Sequence, residues 1–183
     1  MSSKIEDAPH EHAKAVVFDI DGTLTPTVMK YRSVRRDAAK AVHVFADQGR
    51  KIFYLTARIL PLQSGIPGWL KENGFPDGSI HVTESLNDMG DHAQFKKRVL
   101  RELIAHGWEV EYAYGDSSSD FEAYAAAGIP KEHVFALRRE GEPECQPGIW
   151  KACLSGWTEH IETMTQYARS GSSPSTNTEC QQC

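Results

Sequence analysis

No apolar run in these 183 residues approaches the roughly 20 that a membrane-crossing helix needs. The opening residues, MSSKIEDAPHEHAK, are polar and lack the apolar core of a secretion signal, so a cytoplasmic protein is expected. Basic excess is missing as well. Twenty Lys and Arg face 25 Asp and Glu, and the net charge of −5 gives no field that favours nucleic acid. An anionic ligand would have to be attracted locally, by a metal or a few basic side chains. Cysteine is scarce. Cys145, Cys153, Cys180 and Cys183 fit no zinc framework with matching histidines, so reduced, non-structural thiols are expected. The ending Cys180-Gln181-Gln182-Cys183 has no aliphatic residue and makes a poor prenylation signal. Internal repeats are absent.

What remains is an ordinary globular profile, 40% hydrophobic and 25% charged, at a length that suits one domain. Residues 1–13 read as a flexible, solvated arm and residues 14–169 as the domain. Residues 170–183, rich in Ser and Thr, read as a disordered tail that cannot bury enough surface to order itself. Within the domain, strand and helix patterns alternate. AKAVVFDID reads as a buried strand. Ser33 then caps a helix through Gln48, with Val34, Ala38, Ala41, Val42 and Phe45 at helical spacing and Gly49 closing it. KIFYLTAR is a second strand, followed by a short helix over 69–73 and the weaker strand SIHVTE. An amphipathic helix spans 91–106, with Phe95, Val99, Leu100, Leu103 and Ile104. VEYAYGD, a helix over 119–127, a last strand HVFALR and a closing helix over 155–169 complete the chain. This alternation predicts an α/β fold, a doubly wound parallel sheet with both faces covered. Ligands of such sheets bind beyond the carboxyl ends of the strands, near a switch in strand order. Asp19 and Asp21, Thr56, and Asp116 follow three different strands and meet at that edge.

Phe18-Asp19-Ile20-Asp21-Gly22-Thr23-Leu24-Thr25 leaves the first strand. Residues two apart in extended backbone point to one side, so Asp19 and Asp21 share a pocket. Two close carboxylates resist joint ionisation unless a cation intervenes. One can attack or hold metal while the other serves as acid and then base, an effect worth roughly 10²–10⁴-fold in rate. Gly22 permits a sharp turn with amide hydrogens available to phosphate oxygens. This string resembles the first signature of the haloacid dehalogenase-like superfamily. The resemblance implies a nucleophilic Asp19, an acid/base Asp21, a Mg²⁺ ion and a Rossmann-like fold.

The other signatures of that superfamily are matched in order. Tyr54-Leu55-Thr56-Ala57-Arg58 resembles the second, whose hydroxyl and following amide hold phosphate oxygens. Gly22, Thr23, Thr56, Ala57 and Arg58 are therefore the expected phosphate-binding residues. The third is a lysine that neutralises nucleophile and phosphate. Lys96 is preferred over Lys97, because Gln94-Phe95-Lys96 is similar to the lipin pattern. Gly115-Asp116-Ser117-Ser118-Ser119-Asp120 resembles the fourth, with Asp116 as direct metal ligand and Asp120 either a second ligand or an orienting group. The implied metal set is Asp19, the backbone carbonyl of Asp21, Asp116 and Asp120.

Thirty-nine residues separate Thr56 from Lys96, enough for a helix, a strand and loops but not for a large cap. An essentially capless site suits a substrate presented on something large, or a small ester bound loosely. The run from Val16 to Ile161 resembles the catalytic domain of lipin-type phosphatidate phosphatases and the related domain ending retinal-degeneration-B-type phosphatidylinositol transfer proteins. That implies a Mg²⁺-dependent phosphomonoester hydrolase acting on phosphatidate at a membrane surface, with peripheral membrane association. Two alternatives stand beside it: a phosphatase of a small soluble ester or phosphoprotein, and a phosphatidate-binding module without turnover. Ile59, Leu60, Leu62, Ile66, Pro67 and Trp69 offer either an apolar lip beside the pocket or core packing under a loop.

Overall fold

The protein is described by a computed structural model over residues 2–170. The tail residues 171–183, with Cys180 and Cys183, lie outside the described residues. One parallel sheet contains β1 (Ala13–Phe18), β2 (Lys51–Thr56), β3 (Ser79–Val82), β4 (Trp108–Gly115), β5 (Val134–Leu137) and β6 (Ala152–Leu154). Their spatial order is β3-β2-β1-β4-β5-β6, so the chain winds outward one way from β1 and the other way from β4. The switch point therefore lies between β1 and β4.

The two-residue period of a strand divides the core. Val16 and Phe18 face one apolar cluster, and Ala15 and Val17 face the other. Helices α1 (Ala38–Ala46), α2 (Ile66–Glu72) and α6 (Ile161–Ser170) cover the first face through Val42, Phe45, Leu70 and Met164. The short α3 (Leu86–Gly90) leads into α4 (His92–Ala105), which covers the second face with α5 (Ser118–Ala126) through Phe95, Leu100, Leu103 and Phe121. Each fully buried side chain of this size contributes about 1.5–3 kcal/mol. Phe18 stacks on Tyr114 at 5.1 Å, and Trp157 closes over both rings. The segment from Thr56 to Lys96 is used by α2, β3 and α3, which leaves the expected capless edge.

The β1–β4 pairing passes from Ala15↔Val110 directly to Val16↔Tyr112, so Glu111 is an extra residue in β4. Its buried carboxylate accepts Arg50 Nε at 3.0 Å, and Lys14 Nζ lies 3.5 Å away. This charged cluster sits at the amino end of the sheet, opposite the edge that the motifs mark.

Several expectations need correction. The first helix starts at Ala38 rather than after Ser33, because Arg35 is drawn away to bond the backbone oxygens of Gly22, Thr25 and Arg138. Val34 is consequently exposed and outside the helix. Ile104 on α4 is also exposed, one position past the stripe that Leu100 and Leu103 define. Residues 155–160 do not join the closing helix, which begins at Ile161. HVFALR is not the last strand: β6 was too short and too exposed to carry a strand pattern. Cys145 and Cys153 are joined in a disulfide that brackets the approach to β6, so those two are structural rather than free thiols. The arm is docked rather than solvated. Ser2 and Ser3 exchange hydrogen bonds with Val82 and Ile80 along the outer edge of β3, and Trp108 donates to Glu6 O.

Candidate active site

Asp19 is the first residue past β1, and its N–H donates to Tyr114 O on β4 at 3.0 Å. The carboxyl end of the switch point therefore fixes its backbone. Only 3% of Asp19 is exposed. Lys96, on the first turns of α4 and equally buried, donates from Nζ to Asp19 Oδ1 at 2.6 Å and also to Asp120 Oδ1. Lys96 is thus the lysine that reaches the carboxylates, while Lys97 is part-exposed on the same helix.

Asp120 stands at the third position of α5. Its Oδ2 accepts the backbone N–H groups of Asp116 and Ser117, each at 3.0 Å, and Ser117 caps the helix in return. Both oxygens of Asp120 are engaged. The capping expectation for this loop therefore holds, and the cap leaves Asp120 beside Asp116 and Asp19. Gly115 is required here, because a Cβ would lie 2.7 Å from Asp120 Oδ2. Gly22 is required too: its φ is +90°, and a Cβ would fall 2.1 Å from Asp116 Oδ2.

Asp19, Asp116 and Asp120 offer carboxylate oxygens within 4.8 Å of one another, all buried. Thr23 Oγ1 lies 2.9 Å from Asp19 Oδ2 and 3.3 Å from Asp116 Oδ1, joining the two. Burial, and then the charges of Asp120 and Asp116, push the Asp19 carboxyl well above the usual carboxylate range despite Lys96. Burial and Asp120 likewise raise Asp116, with Arg139 opposing. Burial acts to raise Asp120 too, but Lys96 and the two amides outweigh it and hold that carboxyl below its ordinary range. Lys96 is held charged, since its two carboxylates outweigh a desolvation penalty that alone would lower it. Crowded, all-oxygen and short of positive charge, this donor set fits a hard divalent cation.

Asp21 is separate from that cluster. Arg58 grips it from Nε and Nη2, at 3.0 and 2.7 Å, and Thr56 Oγ1 donates to it at 2.8 Å. Thr56 and Arg58, expected at phosphate oxygens, are therefore found on Asp21. The Gly22 N–H, expected to be available to phosphate, donates to Thr25 Oγ1 at 2.8 Å. Ala57 packs part-buried against the second core cluster.

Three contributors escaped the sequence reading. Arg139 Nε donates to Asp116 Oδ2 at 2.5 Å from the loop after β5. Arg35 clamps the loop after β1, and Trp157 Nε1 donates to Thr23 O at 3.1 Å. None lies in a recognisable motif. Adjacent arginines at 138–139 and 35–36 gave no sign of which would face the site.

The model of the family described as PITM 1-3, LNS2 domain, matches residues 16–138. Human membrane-associated phosphatidylinositol transfer protein 3 is 28% identical over 165 residues, covering 86% of this chain and 16% of that protein. Membrane-associated phosphatidylinositol transfer protein 1 from Rattus norvegicus is 29% identical over 131 residues, covering 69% of this chain and 10% of that protein. The chain thus spans a sixth or less of the length of these relatives. Among solved structures, D,D-heptose 1,7-bisphosphate phosphatase from B. bronchiseptica, complexed with magnesium and phosphate, is similar with a TM-score of 0.57 and 15% identity. That likeness covers 84% of this chain and 99% of that one. Cobalt-bound deoxy-D-mannose-octulosonate 8-phosphate phosphatase from Haemophilus influenzae gives 0.52 and 16%, covering 87% and 88%. These likenesses establish a shared fold.

Proposed function

We propose a function from one premise: the chain belongs to the family described as PITM 1-3, LNS2 domain, a lipin-like, haloacid dehalogenase-type phosphatase fold. On our reading it is a Mg²⁺-dependent phosphomonoester hydrolase that works through an aspartyl phosphate, with phosphatidate as substrate. The observation that carries this is the buried Asp19, paired to Lys96, beside a second carboxylate of different environment two residues on.

Asp19, Asp116, the backbone carbonyl of Asp21 and, less directly, Asp120 would hold the cation. When bound, Mg²⁺ supplies positive charge that polarises the phosphate oxygens. The chain's own residues do the rest. An oxygen of Asp19 attacks phosphorus as the bond to the leaving oxygen breaks. Asp21 gives that oxygen a proton, then takes one from the water that hydrolyses the aspartyl phosphate and frees Asp19. Arg58 and Thr56 fix the direction of the Asp21 carboxyl for both transfers. Lys96, held by Asp120, stabilises charge on the transferring group.

The relatives are named as membrane-associated phosphatidylinositol transfer proteins, which supports lipid handling and keeps a second reading open, a phosphatidate-binding module without turnover. A soluble ester or a phosphoprotein as substrate is a third. Phosphate release from phosphatidate in mixed micelles and from a panel of soluble esters, with and without Mg²⁺, separates them. Phosphatidate turnover that vanishes with Asp19→Asn is expected. Turnover confined to soluble esters would remove the lipid and keep the chemistry. Phosphatidate binding without any release would favour the module.

A further inference from the structure

The bond between Cys145 and Cys153 also governs how a loop meets the candidate site. Residues 141–150 belong to no helix or strand, yet they lie on the first turn of α5. The Ser118 N–H is one of the first-turn donors for which a helix has no internal partner. It donates to Gln146 Oε1 at 3.0 Å, and Ser118 Oγ donates to Pro147 O at 2.8 Å. The backbone at Gly148 rests directly on the Phe121 ring, since a Cβ there would fall 2.5 Å from Phe121 Cδ2. Trp150 Nε1 donates to Gln146 O at 3.1 Å and folds the loop back on itself. This turn of α5 follows Asp116 and carries Asp120. Cys145 and Gln146 share with Asp116 and Arg139 the lining of one cavity of about 250 Å³.

The bond is within reach of solvent. Cys153 is exposed on β6, the outermost strand of the sheet, whereas Cys145 is half-buried against the second core cluster. A thiolate can therefore approach Cys153 Sγ from outside, and exposed disulfides are the ones that reductants open. Cys145 Sγ lies 3.6 Å from Ala136 O, so a freed Cys145 thiol has an acceptor where it already stands. With the bond open, Gln146 and Pro147 stay on Ser118 only through exposed hydrogen bonds for which water competes. The net value of one such bond is about fivefold in population.

We propose that Cys145–Cys153 is a redox modification site that clamps the Asp116–Asp120 loop and is opened by a protein dithiol. One thiolate of the dithiol attacks Cys153 Sγ. The Cys145–Cys153 bond breaks, and Cys145 leaves as a thiolate that takes up a proton. The second thiol of the dithiol then attacks its own partner sulfur in the mixed disulfide and displaces Cys153. Two electrons and two protons have passed to Cys145 and Cys153, and the dithiol has become a disulfide. While the bond is closed, the first turn of α5 is held with Asp116 and Asp120 facing Asp19. Once it is open, that turn loses its outer support and the cation set loosens. The regulatory purpose rests on the phosphatase reading above, whereas the clamp itself is defined by the contacts of the loop.

The test treats the full chain with dithiothreitol under native conditions and maps free thiols by alkylation and peptide analysis. Cys145 and Cys153 should become alkylated together while the circular dichroism stays unchanged. Hydrogen exchange at the Ser118 amide should quicken about fivefold, and Mg²⁺ affinity by calorimetry should weaken by a similar factor. Both should return on reoxidation. Cys153→Ser should show the reduced values from the start and ignore dithiothreitol. Gln146→Ala, which keeps the disulfide, should quicken Ser118 exchange to a similar degree. A bond that resists dithiothreitol in the folded chain would overturn the proposal and leave a purely structural staple. So would reduction that leaves Ser118 exchange unchanged, reduction that leaves Mg²⁺ affinity unchanged in a chain that binds Mg²⁺, or reduction that unfolds the whole chain. Quickened Ser118 exchange in a chain that binds no Mg²⁺ and hydrolyses no ester would leave the clamp standing and remove the phosphatase. Turnover of p-nitrophenyl phosphate with Ser118 exchange indifferent to dithiothreitol would do the opposite.

Discussion

At the amino end of the sheet, Glu111 is buried against Arg50 with Lys14 nearby, one anion served by two cations. At the carboxyl end, Asp19, Asp116 and Asp120 are buried against Lys96 and Arg139, three anions served by two cations. Both clusters are dehydrated and hydrogen-bonded. They differ in balance, and at the carboxyl end burial, followed by the neighbouring carboxylates, raises Asp19 and Asp116 above the usual carboxylate range. A structural ion pair is complete within the chain. A site that takes a cation or a phosphoryl group is left incomplete by it.

The contrast is broken most sharply by removing one anion from each end. Asp19→Asn should lower phosphatase activity by at least about 10³-fold. Stability should hold or rise slightly in a denaturant titration, because crowding is relieved and Lys96 keeps Asp120. Glu111→Gln should leave activity nearly intact yet cost about 3–5 kcal/mol, since it takes the counter-charge from a buried guanidinium. Equal destabilisation by the two changes would erase the distinction.

Titration sharpens it further. Burial holds the His81 and His160 rings neutral, with pKa lowered to about 4. The unfolded chain therefore takes up these protons first, and stability is complete above about pH 6.5 and lost as pH falls toward 4. The loss should reach about 2 kcal/mol per histidine by pH 5. Asp19 and Asp116, raised in the fold, act in the opposite sense on acidification. Denaturation of the wild type and of His81→Leu, at pH 7 and 5, isolates one histidine. The variant should show the shallower decline, and it also removes a buried ring nitrogen without a partner among the described residues.

The smallest effect concerns Arg139, which shares Asp116 with any incoming cation. Arg139→Gln should tighten Mg²⁺ binding about two- to fivefold by calorimetry, the scale of a part-exposed pair. Weaker binding would mean that Arg139 supports the cation site instead of opposing it.

These comparisons also show what was readable beforehand. The Asp19, Thr56 and Asp116 positions were legible because each ends or follows a strongly patterned strand, and the sheet brings such positions to one edge, while Lys96 was legible from its place in the first turns of an amphipathic helix. Phosphate-holding roles for Thr56 and Arg58 assumed contacts with a ligand. In the folded chain both lie on Asp21, a pairing set by side-chain reach that linear spacing does not encode. The helix expected from Ser33 had good local capping chemistry, but Arg35 finds four backbone oxygens across the fold, and tertiary contacts outweigh a cap worth about 1 kcal/mol. β6 and the Cys145–Cys153 disulfide depend on one loop returning to the sheet edge, and a cysteine count cannot give that pairing. The Glu111 bulge was equally invisible, because a buried charge inside a strand reads as a break in pattern until Arg50 is placed beside it.

The account rests on Asp19 as the group that accepts the phosphoryl. The most direct measurement is rapid acid quench of the wild type with Mg²⁺ and phosphatidate in mixed micelles, followed by peptide mapping for added phosphate. Phosphate on the peptide carrying Asp19, absent from Asp19→Asn, is the predicted result. Steady release of phosphate with no phosphorylated Asp19 at any quench time, and with turnover surviving in Asp19→Asn, would contradict it.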